Sequence, residues 1–575
     1  MSFAKSLDLI RLNEATTVAS NEDALTADLH DAPPLQLFAA AMNWGMIGLQ
    51  MRSAGIFMMS SLRARAAFVA PGVGGMNSTK VVVKVAFLVS VALLGCSFSY
   101  TVWAQDSSAI GANAKPSENS DARILRIEND LRPTLQVQGR PLERDTLVEL
   151  MKIHHTPSIS IAVVDHGHIL WARAYGLADL AAKTPATART IYQAGSVSKP
   201  VAASAAMQFV EEGGLGLDVP VNTELKSWRI PDGSAAQGHL VTLREVLTHT
   251  AGLSMQGSPG YAAGVPVPTL IEVLEGKPPA TSPPVIVEET PGKAWKYSGG
   301  GFLIAQLLMM DTDGQTFPDL VQRRIFSRVG MTASTYEQPL PQSRRAEAAV
   351  GYSSDGQQVK GQFHTYPEMA AGGLWTTPSD LARWAIALER AYNGERSPLM
   401  SRAMARQMLT PGLGGWGLGM SVIPVGDEIM FGHAGDTVGF KATLIGWPRG
   451  ERAVVAMGNS DDASAVIDPF TQAVVREYGW KGWGPQILVA FKLNENQRRE
   501  LLGRWKHEGD VVTIRAEGSR LLALDYDLKF ELIPLSANTL AGGGLNLTVV
   551  RGADNKVIAL DAGSWGRFER VSNDK

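Results

Sequence analysis

The chain has 575 residues, and its 53 Lys and Arg against 56 Asp and Glu give a net charge of −3 without a basic block, which argues against nucleic acid as a partner. Hydrophobic residues make up 45% and charged residues 19%, an ordinary globular composition far from the signature of disorder. The single cysteine, Cys96, excludes an intrachain disulfide and excludes zinc or iron–sulfur sites built from cysteines.

Residues 76–104 have the pattern of a secretory signal peptide placed inside the chain. Two lysines precede a short apolar run, and small residues occupy the −3 and −1 positions of a cut after Ala104. The run is too short for a comfortable membrane span of about 20 residues. We therefore expect translation to begin at Met76, residues 1–75 to be a non-native upstream extension, and the mature protein to be periplasmic or secreted.

Two alternatives for this region stay open. Residues 35–51 are fairly apolar, although polar residues interrupt them, and could form a membrane anchor. Residues 93–96 resemble a lipobox, in which Cys96 would carry a lipid. A membrane partner is expected only if Cys96 is lipidated, and cleavage and lipidation both place the protein outside the cytoplasm.

The segment after the signal peptide is polar and is followed by strand-like sequence. Residues 105–122 are small and polar without a hydrophobic period, which predicts a linker. Two β-type runs, at 158–165 and 169–175, surround a turn that contains glycine. A His-Gly-His sequence at 166–168 lies at this turn, but two ligands on an exposed turn without a third predict no metal site.

The rest of the chain divides into a mixed region and an all-β region. Helical patterns occur at residues 201–212, 243–249, 301–310, 317–329 and 378–388. Strand-like runs return at residues 428–431, 440–447 and 452–457. Strands at both ends of a helical middle predict an α/β domain over 123–485, an antiparallel sheet flanked by helices with an all-helical subdomain. Short alternating runs over 495–575 predict a small C-terminal antiparallel β-domain, lipocalin-like or another small barrel.

The first candidate for chemistry is a serine and a lysine at the start of a predicted helix. Ser196 and Lys199 are three residues apart, which places them on one helical face. A serine hydroxyl is a weak nucleophile until a base takes its proton, and an amine can serve if its pKa falls from about 10.4 towards 7–8. S-x-x-K recurs at both chain ends, so alone it is weak evidence, and the G-x-S-x-G of α/β-hydrolases does not occur.

Order and context make the signal specific. The sequence Tyr-Ser-Gly at 297–299 begins 101 residues after Ser196, and His-Ala-Gly at 433–435 begins 136 residues further on. Supporting stretches occur at residues 247–253, 324–326, 329–332 and 372–382. Over residues 140–480 the chain resembles the serine β-lactamase and penicillin-binding-protein superfamily, on the branch of class C β-lactamases, D-aminopeptidases, DD-carboxypeptidases and esterases. Its elements are S-x-x-K, Y-x-N and K/H-x-G, in that order.

The resemblance implies a role for each matched residue. Ser196 would be the acylated nucleophile, Lys199 its basic partner, and Tyr297 the phenol that relays a proton to and from the leaving group. Which of Lys199 and Tyr297 is the base stays open. His433 would occupy the third element at the edge of the cleft, in a chemical or a structural role. The backbone N–H groups of Ser196 and Asp436 would form the oxyanion hole.

The resemblance also implies substrate-binding positions and two departures from the family pattern. Gly299, Ala434 and Gly435 would contact substrate, and His249 would be a packing or turn residue. Gly299 replaces the usual Asn of Y-x-N, and His433 replaces the Lys typical of class C β-lactamases. Because a neutral imidazole attracts a β-lactam carboxylate less than an ammonium does, both departures count against β-lactam hydrolysis. No metal and no organic cofactor are implied.

We therefore expect an exported serine hydrolase that works through an acyl-enzyme. Its substrate would be a small molecule or peptide with an amide or peptide bond, including peptides with D-residues or a cell-wall-like end. A carboxylic ester is the alternative, and a β-lactam is less expected. The rival from another class is a catalytically idle scaffold, whose mark would be the loss of Ser196, Lys199 or Tyr297. All three are present, while the oligomeric state stays open.

Overall fold

The computed structural model describes residues 118–571 except 508–509, 526–527, 543–544 and 563–565. The predicted signal peptide, the apolar stretch at 35–51 and the lipidation candidate Cys96 lie outside the described residues. Within residues 118–571, apart from those gaps, no helix is both long and apolar enough to cross a bilayer.

The described residues form both helices and strands up to residue 501 and strands thereafter. The helices are α1 (Glu118–Glu128), α2 (Leu147–Ile153), α3 (Ser198–Glu211), α4 (Val221–Glu224), α5 (Leu243–Leu247), α6 (Leu270–Glu275), α7 (Gly299–Asp313), α8 (Phe317–Val321), α9 (Ser327–Val329), α10 (Met369–Gly372), α11 (Pro378–Asn393), α12 (Arg402–Met408), α13 (Ser464–Glu477) and α14 (Glu495–Leu501). The strands are β1 (Leu135–Val137), β2 (Ser158–Asp165), β3 (His168–Asp179), β4 (Thr184–Pro185), β5 (Tyr192–Gln193), β6 (Trp375–Thr376), β7 (Ser421–Val425), β8 (Glu428–Thr437), β9 (Phe440–Trp447), β10 (Arg452–Gly458), β11 (Gln486–Leu488), β12 (Gly503–His507), β13 (Asp510–Glu517), β14 (Arg520–Asp525), β15 (Leu528–Pro534), β16 (Thr539–Gly542), β17 (Leu545–Arg551), β18 (Val557–Asp561) and β19 (Arg567–Arg570).

The main sheet is antiparallel and covered on both faces. Its strand order is β4-β3-β2-β10-β9-β8-β7. Successive side chains of a strand point to opposite faces, so Ile161 and Val163 of β2 pack with α1 and α13, whereas Ala162 and Val164 join the core on the other face. Because both faces are covered, β2 and β9 are buried along almost their whole length.

A helical layer lies between the two groups of strands in the sequence and covers the face of the sheet that carries the larger core. In α3, residues 198–209 are all buried, and in α7, residues 299–309 are all buried. A helix that is apolar on every side must be enclosed by other elements. These two helices are therefore the centre of the layer, and the residues at their first turns are held rigidly.

The predicted fold class is confirmed: an antiparallel sheet flanked by helices, with a helical region and a C-terminal antiparallel β-barrel. The helix predicted over 317–329 is interrupted by a π-helical segment, Gln322–Phe326. Among the elements that were not predicted are helix α13 and strands β12 and β16. Charged residues break the apolar alternation of β12, and β16 has only four residues and ends on a glycine.

The C-terminal strands β12 to β19 form a closed barrel. One apolar cluster, which includes Trp505, Leu532 and Leu547, fills its interior. The short sheet β1–β11 and a salt bridge of 2.8 Å between Arg140 and Glu531 connect the barrel to the N-terminal part of the chain. These contacts involve none of the predicted site residues.

Candidate active site

Ser196 lies in a single turn of 3-10 helix, Gly195–Val197, that leads directly into α3. The turn is fixed by Ser198, whose hydroxyl donates to the Gly195 carbonyl at 2.6 Å and accepts from the Leu374 backbone N–H at 3.0 Å. Ser196 is thus presented at the buried N-terminal end of a rigid helix.

Lys199 lies beside Ser196 at the predicted spacing. Its Nζ is 2.9 Å from Ser196 Oγ and donates to the Ala371 carbonyl of α10 at 2.7 Å. The residue is only 2% exposed, and this burial lowers the pKa of Lys199 to about 7. Removal from water disfavours the charged ammonium, so near neutral pH much of Lys199 is a free amine able to accept the Ser196 proton.

Tyr297 completes the cluster. The Lys199 Nζ lies 5.0 Å from the centre of the Tyr297 ring. Burial raises the pKa of the Tyr297 phenol above its usual range, and a hydrogen bond with the Ser196 side chain opposes this rise. The next residue, Ser298, caps α7 by accepting from the Gly301 N–H at 3.1 Å, which fixes the position of Tyr297. The phenol is therefore a protonated group beside the serine at neutral pH.

His249 is both a turn residue and a packing residue. Its backbone has φ of +58°, and its ring centre lies 4.3 Å from that of Tyr297. Nδ1 accepts the Ser298 backbone N–H at 3.1 Å, so the neutral ring carries its proton on Nε2. Burial, then the charges of Lys199 and His433, hold the pKa of His249 well below its usual range. His249 therefore supports the ring of Tyr297 as a neutral group.

His433 lies on β8 with its ring centre 6.2 Å from that of Tyr297. Its Nδ1 is 2.6 Å from the Ala434 carbonyl, and because a carbonyl only accepts, Nδ1 carries the proton. Burial lowers the pKa of His433 to about 3, with a further contribution from the charge of Lys199. At physiological pH, His433 is thus a neutral imidazole.

The β8–β9 hairpin brings the Asp436 backbone against the Ser196 turn. Residues 437 and 440 pair across a two-residue turn, so the next pair, Asp436 with Lys441, is of the non-hydrogen-bonded kind. The Asp436 N–H consequently points away from β9. A Cβ placed on Gly195 would lie 2.4 Å from the Asp436 nitrogen, and one placed on Gly435 would lie 1.8 Å from the Ala194 carbonyl oxygen. This close approach of two backbones needs glycine at both positions.

Gly299 has a packing constraint that the sequence does not reveal. The Gly299 N–H donates to the Gln256 carbonyl at 3.1 Å. A Cβ on Gly299 would lie 2.9 Å from that same oxygen. The space next to Gly299 is therefore occupied by backbone, and an asparagine there would force residues 255–256 to move.

Three neighbours of the cluster were missed by the sequence reasoning. Trp416 lies with its ring centre 5.4 Å from that of His433 and 5.3 Å from that of Trp295. Lys441 forms an ion pair of 2.5 Å with Asp436. No motif marks the tryptophans, but a lysine within the otherwise apolar run of β9 was a visible signal.

A second serine–tyrosine contact is structural. Ser158 Oγ lies 2.9 Å from the Tyr192 hydroxyl and donates to Asn459 Oδ1 at 2.9 Å. All three residues have no exposed surface, so substrate cannot reach them. In the part of the chain that the structure describes, no group of three or more His, Cys, Asp or Glu could hold a metal ion.

Several known proteins are similar to this chain in sequence. The Beta-lactamase family model matches residues 144–476. Putative penicillin-binding protein PbpX of Bacillus subtilis (strain 168) is 26% identical over 273 residues, which are 46% of this chain and 61% of PbpX. Esterase EstB of Burkholderia gladioli is 44% identical over 93 residues, which are 16% of this chain and 23% of EstB. The chain thus spans less than two thirds of the length of either relative.

The fold is also similar to that of a solved structure. The octameric penicillin-binding protein homologue from Pyrococcus abyssi aligns over 73% of this chain and 98% of that chain, with 22% identity and a TM-score of 0.52. At this level of identity the likeness concerns the fold alone.

Proposed function

Because the chain belongs to the β-lactamase family of hydrolases, we propose that it is a serine hydrolase that cleaves amide or peptide bonds through an acyl-enzyme on Ser196. The observation that carries the proposal is the contact of 2.9 Å between Lys199 Nζ and Ser196 Oγ, made by a lysine whose pKa burial lowers to about 7. A base with a pKa near the working pH is the most effective proton acceptor.

The proposed acylation begins with neutral Lys199. It accepts the Ser196 proton while Oγ forms a bond to the substrate carbonyl carbon, and the carbonyl electrons move onto oxygen. The N–H groups of Ser196 and Asp436 stabilise this oxyanion. When the tetrahedral intermediate collapses, the C–N bond breaks and Tyr297 donates its proton to the departing amine. The proton held by Lys199 restores the phenol, and water later releases the acyl group by the same steps in reverse.

The protonated phenol is the reason for placing amides before esters. An amine leaves only when its nitrogen is protonated, whereas an alkoxide or phenoxide leaves more readily. Tyr297, kept protonated by burial and hydrogen-bonded to Ser196, supplies such a donor. Carboxylic esters are the second candidate substrate class, and the 44% identity to esterase EstB over 93 residues favours them.

We also propose that the protein is exported and that β-lactams are poor substrates. Export rests on the signal-peptide pattern at residues 76–104. The β-lactam proposal rests on two features of the cleft: the uncharged His433, which offers no ammonium to a carboxylate, and the missing amide at Gly299.

A hydrolysis panel tests the proposal. The panel contains D- and L-amino-acid amides, short peptides, p-nitrophenyl esters and a chromogenic cephalosporin, with Ser196→Ala as the matched control. We expect the largest kcat/KM for an amide or peptide and no turnover by the control. Faster turnover of esters than of every amide would select the second candidate, and equal turnover by Ser196→Ala would refute a mechanism through Ser196.

A further inference from the structure

Asp436 brings a negative charge close to the proposed oxyanion hole. Its backbone N–H faces the Ser196 turn, and covalent geometry keeps its own carboxylate within about 5 Å of that nitrogen. A carboxylate so close opposes the negative charge that develops on the substrate oxygen. The structure places a cation against this carboxylate, since Lys441 Nζ lies 2.5 Å from Asp436 Oδ1.

The position of Lys441 is unusual for a lysine. It lies on β9, all of whose residues are buried, and its side chain is only 5% exposed. Asp436 is its direct cross-strand partner, in the kind of pair where side chains are closest. Burying a charged pair gains little stability compared with apolar residues of similar volume. Stability alone therefore does not account for this pair.

Two further polar side chains surround the pair. At the hairpin turn, Asp461 accepts the Gly439 N–H at 2.7 Å. The Tyr366 hydroxyl accepts the Val438 N–H at 3.0 Å. Burial raises the pKa of Asp436 and of Asp461, and the charge of Lys441 opposes both rises. Lys441 is thus the cation shared by the two carboxylates that flank the turn.

We propose that Lys441 is a positioning residue that neutralises the Asp436 carboxylate, so that the residue supplying the oxyanion-hole N–H does not repel the oxyanion. This inference rests on the proposed function. It extends the site to a residue outside the three sequence elements. It predicts that the acylation rate depends on the net charge of the Asp436–Lys441 pair and not on the presence of either side chain by itself.

The test measures acylation directly with a neutral alkyl fluorophosphonate. Its phosphoryl oxygen takes the place of the oxyanion while Ser196 Oγ bonds to phosphorus and fluoride leaves, so kinact and KI can be obtained without a known substrate. The variants are Lys441→Met, Asp436→Asn and the double variant, each followed by mass at Ser196 and by thermal unfolding. Asp461→Asn in the Lys441→Met background is the matched control, because its amide oxygen can still accept the Gly439 N–H.

Lys441→Met should lower kinact about 10- to 100-fold with KI changed far less, because an unpaired carboxylate destabilises only the charged transition state. The double variant should recover to within about threefold of the wild type, since neither charge remains. The ratio of wild-type to Lys441→Met kinact should shrink as pH falls and Asp436 is protonated, and the added Asp461→Asn should not restore the rate.

Two results would overturn the inference and can be told apart from failure of the proposed function. A folded Lys441→Met with wild-type kinact at every pH, or a double variant as slow as the single one, refutes charge compensation. Labelling that persists in Ser196→Ala instead refutes the proposed nucleophile. If Lys441→Met does not fold, a folded double variant with a kinact reduced more than about tenfold also refutes compensation.

Discussion

Replacing Lys199 with methionine should abolish activity and at the same time stabilise the fold. A lysine whose pKa is about 7 in the folded protein, against an ordinary value of 10.5, must lose its proton or bury its charge when the chain folds. A difference of one pKa unit corresponds to 1.36 kcal/mol, so burying Lys199 lowers the free energy of unfolding by about 4 kcal/mol at pH 7. Methionine has a similar length and no charge, so this cost disappears in Lys199→Met.

The loss of two hydrogen bonds made by Lys199 offsets part of this gain in stability. The hydrogen bond to Ser196 Oγ is worth about 1 kcal/mol, and leaving the Ala371 carbonyl without its Lys199 donor costs about 1–3 kcal/mol. The net expectation is a free energy of unfolding that is higher by about 0–2 kcal/mol in Lys199→Met at pH 7. Lys199 thus lowers the stability of the folded protein, as expected of a residue that is kept for its chemical function.

The assay is urea unfolding of both proteins followed by tryptophan fluorescence from pH 6 to pH 10. Between the folded and unfolded pKa values the unfolded chain binds more protons at Lys199, so wild-type stability from this group rises with pH. The advantage of Lys199→Met should therefore be largest near and below pH 7 and should shrink towards pH 10. Lys152→Met, at an exposed lysine, is the control and should show little change. A Lys199→Met variant that is less stable than wild type at pH 7, with a difference independent of pH, would refute the argument.

Three further predictions concern the nucleophile, the proton relay and export. Ser196→Ala should lose all fluorophosphonate labelling yet unfold within about 2 kcal/mol of wild type, because removing even a capping hydroxyl costs about 0.5–2 kcal/mol; labelling elsewhere at the wild-type rate would contradict the assignment. Lys199→Ala and Tyr297→Phe should each lower kcat by orders of magnitude, and the double variant should be little slower than the slower single one, whereas fully additive losses would show that one residue only binds substrate. Protein recovered from the periplasm or medium should begin at Gln105, as determined by N-terminal mass analysis, and a lipid-modified Cys96 would contradict cleavage after Ala104.

The local part of the site could be predicted because it depends on spacing. Ser196 and Lys199 are three residues apart, which predicts one helical face, and in the structure Lys199 Nζ lies 2.9 Å from Ser196 Oγ. For an amine to act as the base its pKa must fall towards 7–8, and burial lowers the pKa of Lys199 to about 7. Ser196 lies at the predicted start of the helix, in a 3-10 turn that leads directly into α3.

The distant part of the site could not be predicted, because it depends on tertiary contacts. The Ala371 carbonyl, which accepts a hydrogen bond from Lys199 Nζ, lies 172 residues further along the chain. Every residue has a backbone carbonyl, so the sequence around Ala371 does not identify it as a partner of Lys199. Trp416 likewise reaches His433 only through the fold. A lysine inside an apolar strand, such as Lys441, is the kind of exception that sequence reading can find.

Gly299 shows how a motif departure changes meaning once the backbone is known. From sequence, glycine in place of asparagine is the absence of one amide, which suggests that a single substitution could restore it. In the structure, the Cβ of any such residue would lie 2.9 Å from the Gln256 carbonyl oxygen, which itself accepts the Gly299 N–H. Backbone at that distance cannot rotate away as a flexible side chain can. The backbone path of residues 255–256 therefore requires glycine at position 299. Compared with a site that has asparagine in Y-x-N, this site differs in the position of the neighbouring backbone as well as in one side chain.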